Sequence, residues 1–159
     1  MKAPFIDYDS DEPMRAVCRG LLARTLPVRQ WTHQAHLVST ITLMREHPEI
    51  DLDLSMPGII WRYNEASNGP NANTDTGGYH ETITRFYLRA LRVFLGRMPQ
   101  DLPLHRLNAA LIRSRFAAHD LPLDYYTREH LFSVEARRVW VEPDRAPFDF
   151  EQLLSREHA

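Results

Sequence analysis

Between Gly78 and Pro99 apolar side chains return every three or four residues with no proline between them, and this stretch limits the possible folds more than any other. With about 100° per residue, Ile83, Thr84, Tyr87, Leu91, Phe94 and Leu95 lie within about 60° of the direction of His80, while Arg85, Arg89 and Arg92 line the opposite side. The pattern predicts a helix from about Tyr79 to Met98, with His80 inside its buried stripe and Glu81 at the edge. A stripe of that length needs apolar faces to pack against, and the neighbouring segments supply them.

Asp11 is a candidate cap for a first helix carrying Met14, Val17, Leu21 and Leu22 and ending near Thr25, before Pro27. Thr32 is a candidate cap for a second that runs to Glu46 and stops at His47-Pro48. Ser55 and Pro57 suggest the start of a third, reaching about Ser67. The stretch Asn68 to Gly78 is rich in turn formers and reads as a loop long enough to be functional. A fifth helix after Pro103 carries Leu104, Leu107, Leu111 and Ala118 and ends near His119-Asp120; shorter elements follow, and Phe148, Phe150, Leu153 and Leu154 give the last segment an apolar face with which to dock. Short connections favour antiparallel neighbours. The expected fold is all-α: an up-down helical bundle with short C-terminal helices and a wrapping tail, one domain over residues 1–159.

The second helix carries the chemistry. In Trp31-Thr32-His33-Gln34-Ala35-His36-Leu37, the two histidines are three residues apart and share a face with Leu37, Thr40, Leu43 and Met44, with Gln34 and Thr42 expected elsewhere. In an up-down bundle the second and fourth helices run the same way, which brings His33, His36 and His80 to one end. Three neutral imidazoles are the ligand set that leaves Zn²⁺ an open position, and they also suit iron or nickel. Glu81 diverges from His80 on the helix and fits a proton-moving role better than a ligand role. Tyr63, Asn64, Asn73, Asp75, Thr76 and Tyr79 reach the same end and are candidates for orienting a ligand. Trp31 and Trp61 read as packing residues.

These segments resemble an uncharacterised bacterial protein family that shares W-T-H-x-A-H-L, R-x-N-x-A, G-Y-H-E-T and W-V-x-P-D, here Trp31 to Leu37, Arg62 to Ala66, Gly78 to Thr82 and Trp140 to Asp144. The chain is also similar, more distantly, to DinB/YfiT-like three-histidine bundles, a resemblance that implies a helical bundle holding a divalent metal ion.

Charge and composition narrow the functions. A net charge of -2 leaves no basic footprint for nucleic acid, although all but one of the nineteen basic residues are Arg. The single cysteine, Cys18, cannot form an internal disulfide and reads as a small buried hydrophobe. No apolar run has the length of a signal peptide or a membrane span, so a cytoplasmic chain with no membrane partner is expected. Three readings stand: a metal-dependent hydrolase or small-group transferase using His33, His36, His80 and Glu81; a metal-free module that binds or senses a small molecule through the same histidines and Tyr63; and a structural or assembly protein.

Overall fold

The computed structural model describes residues 4–157. Eight α-helices occur among them: α1 (Glu12–Ala23), α2 (His33–Glu46), α3 (Leu52–Asn68), α4 (Glu81–Gly96), α5 (Leu104–Ile112), α6 (Arg128–Leu131), α7 (Val134–Arg138) and α8 (Phe150–Glu157). Single 3-10 turns lie at Val28–Gln30, Arg115–Ala117 and Leu121–Asp124, and no strand is present among the described residues. None of these helices is long and apolar enough to cross a membrane.

Of the predicted α4 stripe, Tyr87, Leu91, Phe94 and Leu95 are buried and Ile83 and Thr84 half-buried, while Phe86, Leu88 and Ala90 beside it are buried too, because α4 is packed against α2, α3, α7 and α8. Arg89 and Arg92 are exposed along its outer edge, and there the Arg89 guanidinium lies over Phe148 and Trp140, 4.8 and 5.5 Å from the ring centroids. The tail thus closes over α4, with Phe150, Leu153 and Leu154 buried in the main core as the apolar pattern predicts. Phe86 is ringed by Tyr125, Tyr126, Phe148 and Phe150, with centroids 5.4 to 6.5 Å away.

Ion pairs between helix ends fix the up-down order. Arg15, early in α1, meets Glu46 at the end of α2 at 2.8 Å, and Asp53, early in α3, meets Arg92 late in α4 at 3.2 Å. Arg45, near the end of α2, donates to the carbonyls of Pro99 and Gln100 just beyond α4, at 3.1 and 2.8 Å. The starts of α2 and α4 therefore share the opposite pole with the ends of α1 and α3.

Caps move several boundaries from those predicted. Asp51 accepts from the N–H groups of Asp53 and Leu54, so α3 starts at Leu52 and Pro57 falls inside it. His80 is extended and accepts the Ile83 N–H on its own ring at 3.1 Å, so it caps α4 and is not a member of its stripe. The fifth helix ends at Ile112, where Ser114 caps the following 3-10 turn. Asp11 makes no cap bond; its carboxylate accepts from the His105 backbone N–H at 2.9 Å and meets the His105 ring at 2.6 Å, tying α1 to the start of α5.

One expectation about α2 is overturned. Gln34 and Thr42 do not lie on an open face: every residue from Leu37 to Leu43 is buried, because α1, α4 and α5 enclose the helix. Gln34 exchanges two 2.7 Å bonds with the backbone of Ile6 and donates to Asn108 Oδ1 at 3.0 Å, which anchors the segment ahead of α1. Thr42 Oγ1 is buried with no hydrogen-bond partner. These two polar residues should therefore respond oppositely to apolar replacement. Gln34→Leu strands the Ile6 backbone groups and is expected to cost about 2–4 kcal/mol, whereas Thr42→Val removes only an unsatisfied hydroxyl and should be neutral or stabilising. Urea-unfolding midpoints of the two variants check this.

Candidate functional site

At the pole shared by the starts of α2 and α4 lies a cavity of about 370 Å³, walled by Trp31, His36 and Thr40 on one side, Met56, Ile60 and Asn64 on another, and Tyr79, Ile83 and Tyr87 on a third. His33, His80 and His119 also line it. No Asp, Glu, Lys or Arg is among its lining residues.

The tautomer of His36 follows from the backbone. Thr32 caps α2 with its hydroxyl, accepting the Ala35 N–H at 3.2 Å, and its carbonyl receives the His36 backbone N–H at 3.2 Å and the His36 ring Nδ1–H at 2.9 Å. A carbonyl can only accept, so Nδ1 carries the proton and Nε2 presents a lone pair. No hydrogen-bond partner for Nε2 occurs among the described residues. The ring lies against Trp31, centroids 3.7 Å apart and planes inclined by 31°. Burial holds the His36 pKa down to about 4; the bond to Thr32 opposes this, and His33 and His119 reinforce it.

His33 turns its Nε2 to the Ala117 carbonyl at 3.0 Å and packs edge-on against His119 and Tyr87, with centroids 5.0 and 5.4 Å away. Tyr87 donates to the Ala118 carbonyl at 2.8 Å. His80 uses both ring nitrogens: Nε2–H donates to the Leu131 carbonyl at 2.8 Å, and Nδ1 accepts the Ile83 N–H. Burial lowers its pKa also. No group of three or more His, Cys, Asp or Glu side chains suited to hold a metal ion is assembled among the described residues.

The other candidates divide between lining and scaffold. Asn64 and Tyr79 line the cavity. Asn73 stands behind them: its Oδ1 accepts from Asn64 Nδ2 at 3.0 Å and the Tyr79 N–H at 2.9 Å, while its Nδ2 donates to the Trp61 carbonyl at 3.1 Å. That staple needs Gly78, whose φ is 78° and whose absent Cβ would stand 2.4 Å from the Ala72 carbonyl oxygen. Tyr63 is fully buried outside the lining, donating to the Leu26 carbonyl at 2.7 Å. Glu81 accepts the Tyr79 hydroxyl at 2.7 Å, pairs with Arg85 at 3.7 Å, and does not line the cavity. Asp75 binds Arg138 at 2.8 Å, and Thr76 is exposed with its N–H on Thr74, so both belong to the loop exterior.

Several lining residues were not singled out by sequence. Trp31 is a wall of the cavity in addition to a packing residue. Met56 and Ile60 precede the candidate Asn64 at four-residue intervals, a signal that marks a helix face without revealing that the face borders a void. Ser39 lines the cavity, fully buried, and its hydroxyl has no hydrogen-bond partner. No family model, curated protein or solved structure matches the chain.

A buried neutral histidine couples stability to pH. The folded His36 stays deprotonated until about pH 4, while in the unfolded chain it takes up a proton near its ordinary value of 6.5. The unfolded state thus binds more protons between these values, so His36 contributes stability above pH 6.5 that is lost as the pH falls to about 4. The loss attributable to His36 is about 3 kcal/mol at most. Urea midpoints across this range should fall with pH in the native chain and less steeply in His36→Phe, with His80 supplying a remaining slope of the same sign.

Proposed function

We propose that the chain is a metal-free module that binds a small molecule in the cavity between α2, α3 and α4. The observation that carries the reading is a half-open cavity of about 370 Å³ with no Asp, Glu, Lys or Arg in its lining, within the usual size of ligand pockets, mainly apolar and furnished with a few placed polar atoms. The helices around it are tied by caps and ion pairs, so the void is held by scaffold side chains that do not themselves enter it.

The test is a thermal-shift screen of chelator-treated protein with one- and two-ring fragments covering neutral, acidic and basic types. A fragment present at about ten times its dissociation constant stabilises the fold by about 1.4 kcal/mol, a shift of about 3–6 °C for a chain of this size. Ile60→Phe, which fills part of the void, should abolish the shifts. A panel with no stabilising fragment, or shifts unchanged in Ile60→Phe, would overturn the reading.

A metal-dependent hydrolase or transferase is the second reading, and one observation favours it. His33 and His36 each direct one ring nitrogen to a backbone carbonyl, the outer hydrogen bond by which ligating imidazoles are usually oriented. His80 does not fit as the third ligand, since neither of its nitrogens is uncommitted. Elemental analysis of protein purified without chelator separates the readings: the metal-free module is expected to carry well under ~0.1 equivalent of zinc, iron or nickel, and His36→Phe should leave that trace unchanged.

A further inference from the structure

Three features of the cavity wall bear on what it holds. Nε2 of His36 is an acceptor and nothing else: the Thr32 carbonyl fixes the proton on Nδ1, and burial keeps a second proton off the ring. The hydroxyl of Ser39, one turn further along α2, is sealed from solvent with neither a donor nor an acceptor in reach. The cavity offers no formal charge from any Asp, Glu, Lys or Arg to compensate an ionised ligand.

The Ser39 hydroxyl is closed off from the void as it is from water, so it is His36 Nε2 that a ligand atom can meet. A carboxylate brought to His36 would set lone pair against lone pair, and its desolvation would go unmatched. An ammonium ion would be left without a counter-charge for the same reason. An uncharged molecule with an O–H or N–H group turns the same wall into a favourable contact. The Trp31 indole on the other side of His36 and the Tyr79 and Tyr87 rings across the cavity favour a flat ligand.

Building on the small-molecule reading, we infer that the ligand is an uncharged planar molecule carrying a hydrogen-bond donor, of the phenol or aromatic N–H class, with that donor on His36 Nε2. The site discriminates by proton inventory: it has an acceptor where most anion-binding pockets have donors.

Phenol, anisole and benzoate test this on the intact chain, with affinities measured by ligand-observed NMR or calorimetry near neutral pH. Anisole keeps the ring and oxygen but lacks the donor, and benzoate supplies a charge. Phenol should bind at least about fivefold more tightly than anisole, and benzoate more weakly than either. His36→Phe keeps a ring against Trp31 and removes the acceptor, so phenol should fall to the level of anisole while anisole is unchanged. Equal affinities of phenol and anisole, preferential binding of benzoate, or an unchanged phenol affinity in His36→Phe would overturn the inference. If phenol fails while other fragments still bind and Ile60→Phe blocks them, the donor class is wrong and the small-molecule reading survives; if nothing binds, both fall.

Discussion

The burial of α4 on nearly every side is the constraint to which the rest of the molecule answers. A helix with Phe86, Tyr87, Leu88, Ala90, Leu91, Phe94 and Leu95 all covered cannot stand at the edge of a bundle. Its neighbours α2 and α3 must flank it on one side, and the short helices and tail must close the other. This division of labour leaves the two sides different in character. The tail side is filled by stacked aromatic rings, whereas the α2–α3 side carries smaller and more polar residues and retains the cavity.

Within that frame, backbone caps decide what each histidine can do. His36 and His80 are both neutral and largely enclosed, yet they differ chemically because of where their helices begin. α2 begins at Thr32, one turn ahead of His36, so the ring spends one nitrogen on the cap carbonyl and retains the other. α4 begins at Glu81, which makes His80 itself the cap and consumes both nitrogens. A difference of four residues in where the cap falls relative to the ring thereby separates an acceptor facing a void from a structural fastening.

Much of this was legible in the residues. The apolar repeat of Tyr79 to Met98, the Thr32 cap, the loop of Asn68 to Gly78 and the docking segment around Phe148 and Leu154 all appear in the fold. Gln34 and Thr42 were misread because periodicity reports a helix's own faces and not how many neighbours surround it. The site was legible to the extent that His33, His36, His80, Asn64 and Tyr79 line one cavity. Asn73, Tyr63, Asp75, Thr76 and Glu81 proved to be engaged elsewhere, since proximity along the chain carries no information about which hydrogen bonds a polar group has already made. Ser39 was invisible, because an unpartnered hydroxyl is defined by the absence of neighbours in space.

The rings about Phe86 have a consequence for the order in which the chain acquires its structure. Tyr125, Tyr126, Phe148 and Phe150 all follow α4 by about thirty residues or more, so the centre of the main core is assembled from contacts distant in sequence. During synthesis α4 emerges with this face uncovered and stays so until the segment through Leu154 has left the ribosome. The cavity side, built from α1 to α4, has all its helices earlier. The nascent chain therefore passes through a stage in which the helices of the cavity side are present and the aromatic side still exposes Phe86, the interval in which a holding chaperone would find its target.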